Sequence, residues 1–126
     1  MTSIHAKINL EKEKEKEKEY PKLVRDKIPD VIKKNTGKKV LSRTIDEDEE
    51  YLAYLMKKVE EESQELSQAD DKEHVIEEIA DVLELIDALT AFYDVDMSVV
   101  KKVQKEKARQ RGGFENRLLM LKKVDD

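Results

Sequence analysis

Two adjacent stretches of helical hydrophobic periodicity constrain what this chain can fold into. Apolar residues recur every three to four positions in both stretches, which predicts one helix over roughly 47–69 and a second over roughly 74–93. The second stretch has the wider apolar arc. Because only the polar segment 70–73 separates them, we expect the two helices to pack as antiparallel neighbours.

Acidic residues at capping positions precede both helices. Asp46 is followed three residues later by Glu49, and Asp70 is followed by Glu73. This is the spacing of an N-cap and the acid that reaches back to it. We therefore predict that Asp46 and Asp70 cap the two helices.

A third helix is predicted after Asp96, which is placed to cap it. This helix becomes basic toward Arg111 and is expected to end at Gly112 and Gly113. The segment before the first long helix contains both prolines. We expect it to be irregular, with one short helical turn around 30–34.

The composition agrees with a helical protein that has little apolar material for a core. Of the 126 residues, 44% are charged and 5% are aromatic, which is typical of long solvated helices. The 38% hydrophobic content is enough for one compact domain, although such a small helical layer is marginal by itself. We predict an all-α fold over 20–126, a small helical bundle completed by association of chains.

Net charge and cysteine usage argue against several classes of function. A net charge of −5 disfavours a nucleic-acid partner, whose binding depends on clustered lysine and arginine. The absence of cysteine removes disulfides, thiolate nucleophiles and cysteine-based zinc sites, which suits a reducing compartment. No apolar run approaches the length of a membrane span, and the start lacks the features of a secretory signal. We expect a cytoplasmic protein with no membrane partner.

The N-terminal part of the chain carries a strict charge alternation. Residues 11–19 read EKEKEKEKE, which offers no apolar face and, in a helix, would place like charges four residues apart. We interpret 1–19 as a flexible charged arm. A low-complexity spacer without a function is the simplest interpretation of it.

Four acidic residues fall at or beside positions where the helical pattern requires apolar ones. At about 100° per residue, Glu62 lies within the apolar stripe of the first helix, and Glu65 lies about 60° to one side. In the second helix, Glu78 lies within the apolar arc and Asp81 lies at its margin. Packing the two stripes together would bring all four acids into one half-buried cluster.

Such a cluster needs a compensating cation. Buried carboxylates are costly, and like charges at close range add to the cost, of which Lys58 offsets only a part. Carboxylate oxygens are the ligands that Mg²⁺ and Mn²⁺ prefer. We therefore predict a divalent-metal site formed by Glu62, Glu65, Glu78 and Asp81. The alternative is that these acids lie at the edge of the stripe and reach water.

Short motifs in the chain resemble a known family. The segments KVEEESQEL (58–66) and EEIAD (77–81) are similar to the EExxE and ExxD motifs of the MazG-type all-α nucleoside triphosphate pyrophosphohydrolases. The segments KLVRDKIP (22–29) and KARQRGGF (107–114) resemble the flanking segments of a small stand-alone branch of that superfamily, related to phosphoribosyl-ATP pyrophosphohydrolase-like proteins. Together these matches cover roughly 20–117.

The resemblance implies Mg²⁺-dependent cleavage between the α and β phosphates of nucleoside triphosphates, with Mn²⁺ as a substitute metal. The products would be a monophosphate and pyrophosphate, and the role would be removal of non-standard nucleotides. The resemblance also implies a dimer or dimer of dimers, metal ligands at the four acids above, and Glu61 as an auxiliary acid near the metal. Either Glu61 or Glu65 would orient or deprotonate the attacking water, and the sequence leaves that choice open.

A site for triphosphate needs cations as well as carboxylates. The candidates are Lys22, Arg25, Lys27, Lys107 and Arg111. Two alternatives stay open here. The LVRDKIP segment is equally well explained as a structural lead-in with solvated charges, and the glycines of RGGF as a helix C-cap.

Two other functions are compatible with the sequence. One is hydrolysis of phosphoribosyl-ATP. The other is a non-enzymatic helical dimerisation or regulatory module, in which the acids are interfacial and no metal dependence is expected. Neither histidine has a partner at ligand spacing, and His74 is expected to be a surface residue beside the second cap.

Overall fold

A computed structural model of the protein describes residues 20–125. Within these residues the regular secondary structure is entirely helical, which confirms the all-α class. The predicted arm over 1–19 lies outside the described residues. Residues 20–125 form four helices, α1 (Ile28–Thr36), α2 (Asp48–Ser67), α3 (Lys72–Phe92) and α4 (Met97–Arg111). None of them is long and apolar enough to cross a membrane.

The chain divides into two compact units at a boundary inside α3. The first unit ends at Ile86 and the second begins at Asp87. The first contains α1, α2 and most of α3, and the second contains the end of α3 and α4. The prediction of one domain over 20–126 stays a prediction.

The ends of the first and last helices follow the sequence signals. Gly37 terminates α1 in the left-handed conformation at φ 73°, and its N–H donates to the carbonyl of Lys33 at 2.8 Å. Asp96 accepts a hydrogen bond from the Ser98 N–H at 2.8 Å and so caps α4 as predicted. Gly112 follows α4, and its N–H donates to the Ala108 carbonyl at 2.8 Å, which confirms the predicted C-cap.

The two predicted caps of α2 and α3 are wrong by one residue. The N-cap of α2 is Glu47 rather than Asp46, and it makes no side-chain capping bond. At α3 the side chain of Asp71, rather than Asp70, accepts from the His74 N–H at 2.7 Å. Both helices start within a run of acids, where capping spacing alone does not distinguish one carboxylate from its neighbour.

In the first unit, α2 and α3 lie side by side and antiparallel, because residues 68–71 leave room only for a tight connection. The apolar material between them is thin. Leu55, 1% exposed, is the one hydrophobic side chain that is fully buried in the described part of the chain. The other fully buried residues in that part are Glu62, His74 and Glu78. The best-shielded positions of this unit are therefore mostly polar, and they define the candidate site.

Candidate metal centre

The two acids at core positions are buried in the structure. Glu62 on α2 and Glu78 on α3 are each 5% exposed, as their places in the apolar stripes predict. Glu65 and Asp81, predicted at the margins of the stripes, are half-buried. Glu60, which lies beyond the edge of the apolar stripe of α2, is exposed. The helical period therefore predicts the burial of the four acids of the cluster correctly.

Three carboxylates converge at the α2–α3 contact. One oxygen each from Glu62, Glu78 and Asp81 lies within 4.8 Å of the other two. Glu78 and Asp81 are one turn apart on α3, and Glu62 reaches them from the facing helix. Below, these three residues are called the acidic triad. Glu65 is outside the triad but is hydrogen-bonded to Glu78.

The electrostatics of the triad centre on Glu78. The pKa of its carboxyl is raised from the usual 4.5 to about 7. Burial is the largest cause, the nearby carboxyls of Glu62 and Asp81 act in the same direction, and the hydrogen bond with Glu65 acts in the opposite one. Its Oε2 atom is buried and receives no hydrogen bond from the described residues. A buried carboxylate oxygen of this kind favours either a proton or a cation beside it.

Lys58 lies one turn before Glu62 on α2 and supplies part of the compensating charge. Its Nζ is 3.6 Å from Glu61 Oε2 and 3.8 Å from Glu62 Oε1. All three side chains are largely shielded from solvent. One ammonium group shared by two carboxylates leaves the site negative, as the sequence indicates.

Arg25 is the predicted substrate-binding residue that reaches the triad. Its Nη2 donates a hydrogen bond to Asp81 Oδ1 at 2.8 Å, across 56 residues of sequence. Both side chains are partly exposed, so this ion pair contributes little to stability. We expect this guanidinium to compete at Asp81 with a metal ion bound by the triad.

We expect Arg25→Gln to raise the affinity for Mn²⁺, measured by calorimetric titration without nucleotide. An exposed ion pair contributes about 0.2–1 kcal/mol. If the metal no longer has to displace it, the affinity for Mn²⁺ should increase by up to about five-fold. Arg43→Gln is the matched control, because Arg43 pairs with Glu50 at 2.9 Å in the first turn of α2, away from the triad. Unchanged or weaker Mn²⁺ binding by Arg25→Gln would show that the guanidinium does not compete.

The prediction that His74 is a surface residue is wrong. Its side chain is 0% exposed, with Nε2 3.3 Å from Glu78 Oε1 and Nδ1 3.5 Å from Asp70 Oδ1. The periodicity contained the signal, because position 74 lies about 40° from Glu78 and about 20° from Asp81 around the helix. The spacing of metal ligands in the sequence does not indicate this position, because the histidine contacts an acid of the triad rather than another histidine.

For the other four candidate cations, contact with phosphate stays a prediction. Lys22 places its Nζ 5.5 Å from the centroid of the Tyr20 ring. Lys27 is exposed at the start of α1. Lys107 and Arg111 are exposed on α4 in the second unit.

These features define an all-α protein with an acidic triad in which two of the three acids are buried, and a buried histidine lies beside it. A comparison with models of protein families, with curated proteins and with solved structures found no match in any of the three.

Proposed function

We propose that this protein is a divalent-metal-dependent nucleoside triphosphate pyrophosphohydrolase of the MazG type. The observation that carries the proposal is the convergence of two buried carboxylates and a third acid within 4.8 Å. The motif resemblance described above supports the step from a metal site to nucleotide chemistry. Removal of non-standard nucleotides is the role that this resemblance implies.

The acidic triad fits a hard divalent cation. Its donors are all carboxylate oxygens, the ligand type that Mg²⁺ and Mn²⁺ prefer. The buried Oε2 of Glu78 lacks a donor in the described chain, and the pKa of that carboxyl is raised to about 7. Glu62, Glu78 and Asp81 would hold the ion, with Glu65 beside them. A bound ion would neutralise phosphate charge and align the triphosphate.

The chain's own residues supply the remaining steps. Glu61 or Glu65 orients a water molecule toward the α-phosphorus and takes its proton. The new bond joins the water oxygen to the α-phosphorus, and the bond from that phosphorus to the α–β bridging oxygen breaks. Nucleoside monophosphate and pyrophosphate leave. Lys58 holds its ammonium group 3.6 Å from Glu61 Oε2. Arg25, which donates to Asp81, is placed to exchange that carboxylate for a phosphate oxygen of the substrate.

Pyrophosphate release is the direct test of this activity. A panel of standard and altered nucleoside triphosphates together with phosphoribosyl-ATP would be assayed with Mg²⁺ and with Mn²⁺. In water enriched in ¹⁸O, we expect the label in the monophosphate and none in pyrophosphate, because water attacks the α-phosphorus. Preferential cleavage of phosphoribosyl-ATP would favour that alternative substrate. If no substrate releases pyrophosphate with either metal, the enzymatic function is rejected. The non-enzymatic dimerisation or regulatory module is then the function that remains.

A second copy of the chain is part of the proposal, as a dimer or dimer of dimers. Ile76, Ile79 and Leu83 are 56%, 44% and 52% exposed and lie within about 60° of one another on α3, on the side away from Glu78. This apolar face of α3 is unusual for a monomer in which one hydrophobic side chain of the described part is fully buried.

We expect Leu83→Lys to dissociate the assembly, because it places a charge in the apolar face of α3. Sedimentation equilibrium should give two or four times the chain mass of 14.7 kDa for the wild type and a lower mass for the variant. Leu41→Lys is the control, since Leu41 is fully exposed and lies outside this face. A wild-type mass of one chain would contradict association.

A further inference from the structure

A histidine links the surface of the α2–α3 connection to the acidic triad. His74 lies in the first turn of α3, and its N–H is fixed by the capping carboxylate of Asp71 at 2.7 Å. Its ring lies between Asp70, one turn earlier, and Glu78, one turn later. Both acids are four residues away, so one helix supplies the whole Asp70–His74–Glu78 row.

The ring is placed to act on one oxygen of Glu78. Nε2 lies 3.3 Å from Oε1, whereas Oε2 of the same carboxyl is buried and receives no hydrogen bond from the described residues. A contact on Oε1 restricts rotation of the carboxyl group and leaves Oε2 as the oxygen available to a ligand. His74 is fully buried and Glu78 is 5% exposed, so this contact is well shielded from solvent.

The position of His74 does not require a histidine for packing. The buried end of α2–α3 could be filled by leucine or valine without any cost of burying polar nitrogens. His74 instead places Nε2 3.3 Å from Oε1 of Glu78. Its Nδ1 atom lies 3.5 Å from Oδ1 of Asp70 and makes no hydrogen bond with the described residues. The ring is not among the groups whose ligand atoms lie within 4.8 Å of one another, so it acts through Glu78.

We propose that His74 is a positioning residue that orients the Glu78 carboxylate for divalent-metal binding. This inference rests on the proposed metal site. Partners that orient a ligating carboxylate typically change metal affinity about 10–100-fold when they are removed.

The test measures Mn²⁺ affinity by electron paramagnetic resonance of the free ion, in the full-length protein without nucleotide. His74→Gln and His74→Asn form a matched pair. The glutamine amide nitrogen reaches approximately the position of Nε2, whereas the asparagine amide reaches only that of Nδ1. We expect His74→Asn to weaken Mn²⁺ binding by about ten-fold or more and His74→Gln to stay within about three-fold of the wild type. His74→Leu, which keeps an apolar volume, should behave like His74→Asn.

The outcomes separate this inference from the proposed function. If the wild type binds Mn²⁺ and His74→Asn binds it equally well, the positioning role is rejected while the metal site stands. Equal losses in His74→Gln and His74→Asn also reject it, because a donor at the Nε2 position then makes no difference. If the wild type itself binds no Mn²⁺, the metal site and the positioning role both fall. The comparison of Mn²⁺ affinity between His74→Gln and His74→Asn tests the positioning role even if His74→Leu does not fold.

Discussion

Glu62→Gln and Asp81→Asn are each expected to abolish the rise in melting temperature that Mg²⁺ gives the wild-type protein. A ligand that binds only the folded state at 100 times its Kd stabilises that state by about 2.7 kcal/mol. For a chain of this length that corresponds to a rise of roughly 10 °C. Both variants should fold, because replacing a carboxylate in a negative cluster removes repulsion. In the pyrophosphate assay we expect kcat/KM to fall by about 10²-fold or more.

The controls for this experiment are exposed acids on the same two helices. Glu60→Gln on α2 and Glu84→Gln on α3 remove the same charge from positions that point to solvent. Both should keep the Mg²⁺-dependent rise. A rise that persists undiminished in Glu62→Gln and in Asp81→Asn would show that the ion binds elsewhere.

The metal-free protein is expected to lose stability as the pH rises from 5 to 8. The pKa of Glu78 is about 7 in the folded state and 4.5 when the residue is solvated. Below pH 4.5 both states hold the proton, and between pH 4.5 and 7 only the folded state holds it. Stability therefore decreases through this window and is lowest above pH 7. The loss is on the order of 2–3 kcal/mol after allowance for solvent screening.

Mg²⁺ should reverse this dependence, because metal binding requires the ionised carboxylate. We expect the Mg²⁺-dependent rise in melting temperature to be small at pH 5 and largest near pH 8. Glu78→Gln should flatten the decline of the metal-free protein, whereas Glu84→Gln should retain it. A metal-free protein that is equally stable at pH 5 and pH 8, or a decline that survives in Glu78→Gln, would contradict this assignment.

Much of the fold follows from local chemistry in the sequence. The periods of α2 and α3 and the terminating Gly112 place the long helices within two residues of their observed ends. The short helix α1 extends to Ile28–Thr36, beyond the single turn predicted, because Pro29 fits the start of a helix. The capping acids of α2 and α3 were assigned wrongly, since several adjacent carboxylates satisfy the same local rule.

The candidate site, like the fold, could be predicted from the sequence only in part. The burial of Glu62 and Glu78 was predictable because the helical period places each on an apolar stripe. The burial of His74 was not predicted, because the groups near its ring are acids one turn away rather than a second metal ligand at a recognised spacing. The contact between Arg25 and Asp81 joins residues 56 positions apart, and local pattern has no information on such pairs.

The proposed metal site and the proposed nucleotide chemistry depend on different observations. The convergence of the triad and the buried Oε2 atom of Glu78 support the proposed cation site independently of the motifs. The nucleotide chemistry depends on the motifs EEESQE, EEIAD, LVRDKIP and RGGF. A protein that binds Mn²⁺ at the triad and hydrolyses no nucleotide would separate the two.

The most direct measurement of the central claim is anomalous diffraction from crystals grown with Mn²⁺ near pH 8. We predict an anomalous peak at coordination distance from carboxylate oxygens of Glu62, Glu78 and Asp81, and its loss in crystals of Glu62→Gln. A peak only at other acids, or none at a Mn²⁺ concentration that saturates binding in solution, would contradict the assignment of this site.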